Sequence, residues 1–220
     1  IKGYFDNIPQ DRLMKLLAQR ISDGRVLALI EAFLTQGVME EGRDWQPTTK
    51  GTPQGAVLSP LLANVYLHPL DLLAQSQGWR MTRYADDFII QCTSRAAAET
   101  ALAEVREWME AAGLTLHPEK TRIVDATVPG GFDFLGWHFE RGYKWPRDKS
   151  LDRFKEVLRE ETPRNSGLSL DVIIERLNRR LHGWYRYFRG GVLNVYQRLD
   201  QWLRGRLRSV LRRRDKRKGR

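Results

Sequence analysis

The chain has 220 residues, 37 of them basic and 27 acidic, which gives a net charge of +10 at pH 7. Hydrophobic residues make up 41% of the chain, a share typical of a folded protein and too high for a disordered one. The single cysteine, Cys92, excludes an intrachain disulfide, and no apolar run reaches the ~20 residues that a transmembrane helix needs.

The beginning of the chain predicts a strand and two helices. Residues 1–8 are interpreted as a short strand that ends in a turn at Pro9. Leucine and isoleucine recur at helical spacing over residues 10–36, and Ser22-Asp23-Gly24 divides this stretch into two helices. Gly37 is the predicted C-cap of the second helix.

A loop and a third helix follow. Residues 38–55 are rich in Gly, Pro and Thr and contain few apolar side chains, so they predict a loop or a small hairpin. Residues 56–73 predict a helix with Pro60 near its start, where a proline is tolerated because its missing N–H has no partner in the helix.

An acidic hairpin is predicted next. Residues 79–84 and 88–92 are two β-prone runs around Ala85-Asp86-Asp87, which places two carboxylates at the tip of a hairpin. Ser94 then caps a strongly periodic helix that ends at Gly113.

Short strands complete the first part of the chain, at residues 114–116, 121–124 and 132–139. The order helix, hairpin, helix, strand is that of a ferredoxin-like layer, in which an antiparallel sheet carries helices on one face. We therefore predict an α+β domain over residues 1–142.

The sequence changes character after Gly142. Arg-rich amphipathic stretches predict three helices, at residues 151–160, 168–189 and 192–213. They form an all-α domain over residues 150–213, with the domain boundary within residues 141–150. Residues 214–220 contain no apolar side chain and are predicted to be a disordered basic tail.

The charge is divided in the same way. Residues 1–140 hold 13 basic and 18 acidic side chains, whereas residues 141–220 hold 24 basic and 9 acidic ones. A basic arm on an acidic body indicates a polyanionic partner, with nucleic acid ahead of an anionic membrane surface and of a merely solubilising tail. The interleaved aromatic residues favour nucleic acid, because rings beside arginine stack on bases; they are Trp184, Tyr185, Tyr187, Phe188, Tyr196 and Trp202.

The acidic hairpin tip has two interpretations. Adjacent carboxylates between apolar strands repel each other unless a cation offsets their charge, and hard oxygen ligands on a turn suit Mg²⁺ or Mn²⁺. Aspartate is also common in ordinary turns, and on the dipeptide Asp86-Asp87 alone the ordinary turn is the better interpretation.

The context of the dipeptide favours the metal site. Arg83-Tyr84-Ala85-Asp86-Asp87-Phe88 resembles the YxDD box of reverse transcriptases. Further segments resemble parts of the same family in the correct order: residues 1–8 the first palm motif, 50–64 the Pro-Gln-Gly box, 113–121 the fourth palm motif, 132–137 the primer grip, and 177–188 the thumb, or domain X, of group II intron maturases. The chain is thus similar to group II intron-type reverse transcriptases over nearly its whole length.

The resemblance implies a polymerase site with Mg²⁺, or Mn²⁺, as cofactor. In this family two ions, held by three carboxylates, stabilise the attacking and leaving oxygens of nucleotide addition. Asp86 matches one ligand and Asp87 its weaker neighbour, and the third Asp is expected immediately upstream of Ile1. Lys120 matches the lysine that stabilises the leaving pyrophosphate.

Other matched positions are assigned to nucleotide and nucleic acid. Phe5, Gln54 and Gly55 match the dNTP pocket, where an aromatic ring excludes a 2′-hydroxyl, and Phe134, Leu135 and Gly136 match the primer grip. The arginines expected to contact phosphates are Arg179, Arg180, Arg186 and Arg189. At helical spacing Trp184 and Phe188 are better explained as core than as stacking groups.

The implied partners are an RNA template, its duplex with a DNA primer, group II intron RNA and dNTPs, in a bacterial cytoplasmic protein bound to RNA and not to a membrane. Because the chain opens on Ile1 and no fingers region precedes the first motif, we expect a piece of a longer protein that does not polymerise alone. The alternatives are a non-catalytic RNA-binding remnant of such an enzyme and a CRISPR-associated reverse transcriptase of the same lineage; the maturase-like thumb disfavours a retron enzyme.

Overall fold

The computed structural model describes residues 1–36, 50–53, 56–163, 165 and 167–218. The chain forms two compact units, Ile1–Ile123 and Val124–Arg220. This division precedes the predicted boundary at residues 141–150, so the strands of residues 132–146 belong to the same compact unit as the C-terminal helices. The functional domain limits derived from the sequence remain a prediction.

The first unit is built on helices, which are α1 Tyr4–Asn7, α2 Gln10–Ala18, α3 Gly24–Thr35, α4 Ser59–Ser76 and α5 Arg95–Ala111. The predicted break between α2 and α3 is confirmed, and the Asp23 side chain caps α3 by accepting from the Arg25 N–H. The predicted Ser94 cap of α5 is confirmed as well, since its hydroxyl accepts from the Ala97 N–H. Gly37 and most of residues 38–55 lie outside the described residues.

The predicted hairpin is confirmed, with a tighter tip than expected. Strands β1 (Arg80–Tyr84) and β2 (Asp87–Gln91) pair antiparallel, and Tyr84 faces Asp87 in the last pair. The turn therefore contains only Ala85 and Asp86, while Asp87 is the first residue of β2.

Two predictions for the first unit are wrong. Residues 1–8 form the short helix α1 and not a strand, because the buried side chains are Tyr4 and Ile8, which are four positions apart as on a helix face. Residues 114–116 and 121–124 form no strand, and the backbone bond from the Lys2 N–H to the Thr115 carbonyl is not continued into a ladder.

In consequence, no ferredoxin-like sheet is present in the described part of the chain. The strands there form a two-stranded sheet, β1-β2, and a separate three-stranded sheet in the second unit. The broad α+β class is retained. The core of the first unit lies between helices, where fully buried Leu13, Leu34, Leu67 and Leu70 come from α2, α3 and α4.

The second unit contains a meander and three long helices. Strands β3 (Phe132–Phe134), β4 (Trp137–Glu140) and β5 (Tyr143–Pro146) pair in sequence order. The single strand predicted at residues 132–139 is thus a hairpin, because Leu135 and Gly136 both adopt left-handed φ angles, of 48° and 82°. Strand β5 was not predicted.

The three C-terminal helices are confirmed as α6 Asp148–Glu161, α7 Leu170–Phe188 and α8 Leu193–Lys218. Each contributes two residues to a shared core: Phe154 and Leu158, Ile173 and Leu177, Leu199 and Leu203. The prediction of a disordered tail from residue 214 is wrong up to Lys218. Arginine and lysine are good helix formers, so they prolong α8 without apolar side chains. None of the helices in the described ranges is long and apolar enough to cross a bilayer.

Candidate active site and nucleic-acid interface

The two carboxylates of the hairpin have different surroundings. Asp86 occupies the second position of the two-residue turn and its side chain is 31% exposed. Asp87 begins β2 and is exposed. Ala85, the first turn residue, has a φ of 53°, which is unfavourable for a residue with a Cβ. Asp86 is therefore held in a tight, strained turn, whereas Asp87 extends from a regular strand.

The beginning of the chain lies beside Asp86. The backbone nitrogen of Ile1 is 3.8 Å from Asp86 Oδ2. The neighbouring Lys2 N–H donates to the Thr115 carbonyl at 2.9 Å. Segments that resemble the first palm motif, the YxDD box and the fourth palm motif are thus adjacent in space, although they are far apart in the sequence.

The start of the Pro-Gln-Gly segment lies along the first motif. The Gly51 N–H donates to the Ile8 carbonyl at 2.8 Å, and the Thr52 N–H donates to the Phe5 carbonyl at 2.7 Å. A Cβ on Gly51, whose φ is 81°, would lie 2.6 Å from the Phe5 carbonyl oxygen. The glycine therefore allows close contact between two segments of the same chain.

The buried side-chain amide of Gln10 adds hydrogen bonds at the place where the Pro-Gln-Gly segment contacts the first unit's helices. Gln10, at the first position of α2, donates from Nε2 to the carbonyls of Leu34 and Gly51, both at 3.0 Å. One side chain therefore joins three separate segments of the first unit. Sequence reasoning missed Gln10, and its position at the start of an amphipathic helix gave no sign of this role.

The residues predicted to form the nucleotide pocket are only partly described. Gln54 and Gly55 lie outside the described residues. Phe5 is half-buried, and its ring meets that of Tyr4 edge-on with centroids 5.6 Å apart. Tyr4 donates its hydroxyl to the Ala63 carbonyl at 2.5 Å, and burial raises its pKa well above the ordinary value. Tyr4 therefore remains a neutral donor that anchors α1 to α4 next to Phe5.

Lys120 lies in a turn after Pro118, where its N–H donates to the His117 carbonyl at 3.2 Å. Its side chain is exposed. The turn belongs to the segment that Lys2 contacts through Thr115, so Lys120 lies on the same stretch of chain that borders the first motif.

Arg83 connects the hairpin to α4. Its Nε donates to Asp71 Oδ1 at 2.7 Å, and its Nη2 donates to the other carboxylate oxygen. Its Nη1 donates to Asn64 Oδ1 and to the Ala85 carbonyl, both at 2.9 Å. The hydrogen bonds to Asp71 raise the pKa of Arg83 above its ordinary value, so the guanidinium is permanently charged.

The position of Arg83 in β1 is a local signal for this network. In β1 every second side chain faces inward, and Arg83 shares the half-buried face with Met81. A charged residue at an inward position needs a partner. Asn64 and Asp71 supply it from positions seven apart on α4, a spacing that places both on one helix face.

The side chains at the hairpin turn supply part of a site for a divalent cation. Asp86 and Asp87 are hard carboxylate ligands of the type that Mg²⁺ prefers. Within residues 1–36, 50–53, 56–163, 165 and 167–218, no three His, Cys, Asp or Glu side chains form a group that could hold a metal ion. The chemistry of the two aspartates fits, and a further oxygen ligand is needed to complete a site.

The β3-β4 turn is fixed by the helices of its own unit. The Leu135 carbonyl accepts from the Tyr187 hydroxyl at 2.8 Å, and the Gly136 carbonyl accepts from the Ser150 hydroxyl at 3.0 Å. The Arg147 N–H donates to the same Gly136 carbonyl at 3.0 Å. Phe134 is half-buried on β3. The segment that resembles the primer grip is therefore rigidly attached to α6 and α7.

The four predicted phosphate-binding arginines differ in their environment. Arg179 pairs with Glu175 and Arg180 pairs with Glu161, both at 3.1 Å. Arg186 and Arg189, at the end of α7, are exposed and form no ion pair within the part of the chain that is described. These two cations can contact a phosphate without first breaking an ion pair.

Two aromatic residues of α7 pack in the hydrophobic core, as predicted. Trp184 stacks on Phe154 with ring centroids 4.5 Å apart, and it also contacts Phe188 at 4.7 Å. Phe188 is 7% exposed. Tyr185 is exposed and remains the more accessible ring for stacking.

Both parts of the chain are similar to known protein families. Residues 1–139 match the family described as reverse transcriptase (RNA-dependent DNA polymerase), and residues 151–220 match the group II intron maturase-specific domain. The group II intron-encoded protein LtrA of Lactococcus lactis subsp. cremoris is 51% identical over 73 residues, which cover 32% of this chain and 12% of LtrA.

Two relatives align over more of the chain. An uncharacterized 91 kDa protein in the cob intron of Schizosaccharomyces pombe is 29% identical, covering 82% of this chain and 29% of its own length. Protein YkfC of Escherichia coli (strain K12) is 28% identical, covering 79% of this chain and 53% of its own length. The chain thus spans at most about half the length of these relatives. With the first 139 residues matching one family and the last 70 the other, the chain belongs to the group II intron-type reverse transcriptase/maturase family.

Proposed function

We propose that the protein containing this chain is an RNA-directed DNA polymerase that adds dNTPs to a primer on an RNA template. The observation that carries the proposal is the 3.8 Å separation between the backbone nitrogen of Ile1 and Asp86 Oδ2. A residue attached to that nitrogen has its Cα within ~2.5 Å of it, so an aspartate there reaches the Asp86 carboxylate. This is the position at which the family places the third ligand.

Residues 1–142 are assigned to a partial palm. The β1-β2 hairpin supplies the acidic turn, and α4 and α5 cover it. A two-stranded sheet is marginally stable alone. Helical packing against both strands supports it here, and upstream residues of the parent protein would complete the palm sheet.

Asp86 and Asp87 would hold the metal ions, with Asp86 as the principal ligand. Mg²⁺, or Mn²⁺, would lower the cost of the negative charge that develops on the attacking and leaving oxygens. Lys120 contributes a positive charge for the departing pyrophosphate, and its exposed side chain is free to reach it. Phe5 would pack under the sugar of the incoming nucleotide, with Gln54 and Gly55 completing the pocket.

We assign nucleic-acid binding to the second unit. The rigid turn at Leu135 and Gly136, with Phe134 beside it, would support the primer strand. Residues 150–213 form the thumb, where Arg179, Arg180, Arg186 and Arg189 contact phosphates. Such contacts bind duplex and folded RNA without reading sequence, which suits both a template–primer and a group II intron that the protein helps to fold and splice.

The chain of 220 residues is expected to add no dNTPs by itself, because its metal site contains two of the three carboxylates. Primer extension on an RNA template, with the intact parent protein measured in parallel, tests this. Efficient extension by the isolated chain would show that the site is complete without upstream residues. Failure of the parent as well would favour the non-catalytic RNA-binding alternative.

The free arginines of α7 are expected to control RNA affinity. Changing both Arg186 and Arg189 to Ala should reduce the magnitude of the slope of log K against log salt, where K is the association constant, by about 1.4, since each single-strand phosphate contact contributes about 0.7. Fluorescence anisotropy on a single-stranded RNA across a salt series measures it. Arg95→Ala, at an exposed arginine of α5 that pairs with Glu99, is the matched control and should leave the slope unchanged. An unchanged slope in the double variant would remove these arginines from the interface.

A further inference from the structure

The network around Arg83 is larger than a core ion pair needs. The Arg83 side chain is 12% exposed, and its guanidinium bonds three acceptors: the Asp71 carboxylate, the Asn64 amide oxygen and the Ala85 carbonyl. Asp71 and Asn64 lie on α4, whereas Ala85 is in the hairpin turn. A buried ion pair contributes little net stability, because desolvation offsets its attraction. The bond to the Ala85 carbonyl therefore indicates a role other than stabilising the fold.

The Ala85 carbonyl belongs to the peptide group that leads directly into Asp86. Ala85 has a φ of 53°, and this left-handed conformation costs an alanine free energy. The Nη1 bond at 2.9 Å restrains the direction of the carbonyl, and with it the plane of the Ala85–Asp86 peptide, which contains the backbone nitrogen and Cα of Asp86. The Asp71 carboxylate, held through both its oxygens, fixes the guanidinium in turn.

The charges around Arg83 also favour an Asp86 carboxylate that is available to a cation. Asp71 occupies Nε and Nη2 of Arg83, and among the described residues Arg83 forms an ion pair with Asp71 and not with Asp86. A guanidinium that was free to turn toward Asp86 would pair with it and compete with a metal ion for the same oxygens.

We propose that Arg83, held by Asp71 and Asn64, is a positioning residue that orients the Asp86 carboxylate for metal binding. The inference rests on the proposed function, since it requires Asp86 to be a metal ligand. In this proposal Arg83 is not itself a metal ligand. It acts through the Ala85–Asp86 peptide.

The test is made on the intact parent protein with the variant Arg83→Lys. Lysine keeps the charge and can pair with Asp71, but a single ammonium group cannot also bond Asn64 and the Ala85 carbonyl in the geometry of the fork. Mn²⁺ binding, measured by electron paramagnetic resonance, should weaken about tenfold, and the Mg²⁺ concentration that half-saturates dNTP addition should rise by a similar factor. Excess Mg²⁺ should restore most of kcat, because the ligand itself is still present.

The control is Arg80→Lys, at an exposed position of the same strand. It should change neither metal affinity nor the Mg²⁺ requirement. Unfolding temperatures are measured for every variant, since a merely structural role would lower stability without changing the metal affinity of the folded protein. Metal affinity equal to that of the parent in folded Arg83→Lys overturns the proposal.

Asp71→Asn provides a second variant if Arg83→Lys does not fold. It keeps the shape of the side chain, removes the charge that restrains Arg83, and should also weaken Mn²⁺ binding. Asp86→Ala distinguishes failure of the proposed function from failure of the positioning role alone. If Asp86→Ala leaves Mn²⁺ binding and cDNA synthesis intact, the proposed function fails. If it abolishes both while folded Arg83→Lys and Asp71→Asn behave like the parent, only the positioning role fails.

Discussion

Changing Asp86 to Ala in the intact protein is expected to reduce cDNA synthesis at least ~10³-fold, the equivalent of the several kcal/mol that a metal ligand contributes to the transition state. RNA affinity should stay within about twofold, because the proposed phosphate contacts lie on the basic C-terminal helices and not on the hairpin. Asp86 occupies a two-residue turn and its side chain is 31% exposed, so its removal leaves no buried cavity. Primer extension and filter binding on the same RNA measure the two quantities.

Two further variants provide a comparison and a control for Asp86→Ala. Asp87→Ala should cost less activity, since Asp87 extends from β2 and not from the turn. Glu107→Ala removes an exposed carboxylate from α5 and should change neither quantity. Equal loss of RNA binding and synthesis in Asp86→Ala would mean that the carboxylate is structural.

Changing Gly51 to Ala is expected to destabilise the first unit by about 2–4 kcal/mol, from the cost of a left-handed alanine together with an overpacked contact. The new Cβ would lie 2.6 Å from the Phe5 carbonyl oxygen and 2.9 Å from the Asp6 Cα, and both of these are backbone atoms that cannot move aside as a flexible side chain would. The contact joins the Pro-Gln-Gly segment to the first motif, so nucleotide binding in the parent protein should weaken as well.

Gly78→Ala is the matched control. Gly78 also has a positive φ, of 67°, but a Cβ there meets nothing within 4 Å. Its cost should be the conformational part alone, about 1–2 kcal/mol. Urea unfolding followed by hydrogen exchange of residues 1–123 reports on the first unit separately. Equal losses in the two variants would show that the Gly51 contact is not tight.

Local patterns predicted most of the helices correctly. Apolar spacing located α2 to α8, and Ser94 was recognised as the N-cap of α5 from its position. Asp23 was assigned only to the break between α2 and α3, and its capping bond is a finding of the structure. The hairpin was found from its two β-prone runs. These features depend on neighbours in the chain, and a sequence shows such neighbours directly.

Errors arose where distant contacts override local preference. Residues 1–8 contain β-prone side chains, but burial of Tyr4 against α4 and of Ile8 in the same core favours a helical turn. Leu135 adopts a left-handed conformation that its side chain disfavours, and the hydrogen bonds from Tyr187 and Ser150 to the turn offset that cost.

The sequence by itself determined the family, the order of its motifs, the acidic pair Asp86 and Asp87 in the hairpin, and the basic character of the C-terminal helices. All of these are properties of residue identity and short-range spacing. Only the tertiary structure decided that Ile1 lies against Asp86, that Gly51 packs on the Phe5 backbone, and that Arg83 bonds both Asp71 and the Ala85 carbonyl. Each of these contacts closes a long loop, and its partner can be identified only after the core has brought the two segments together.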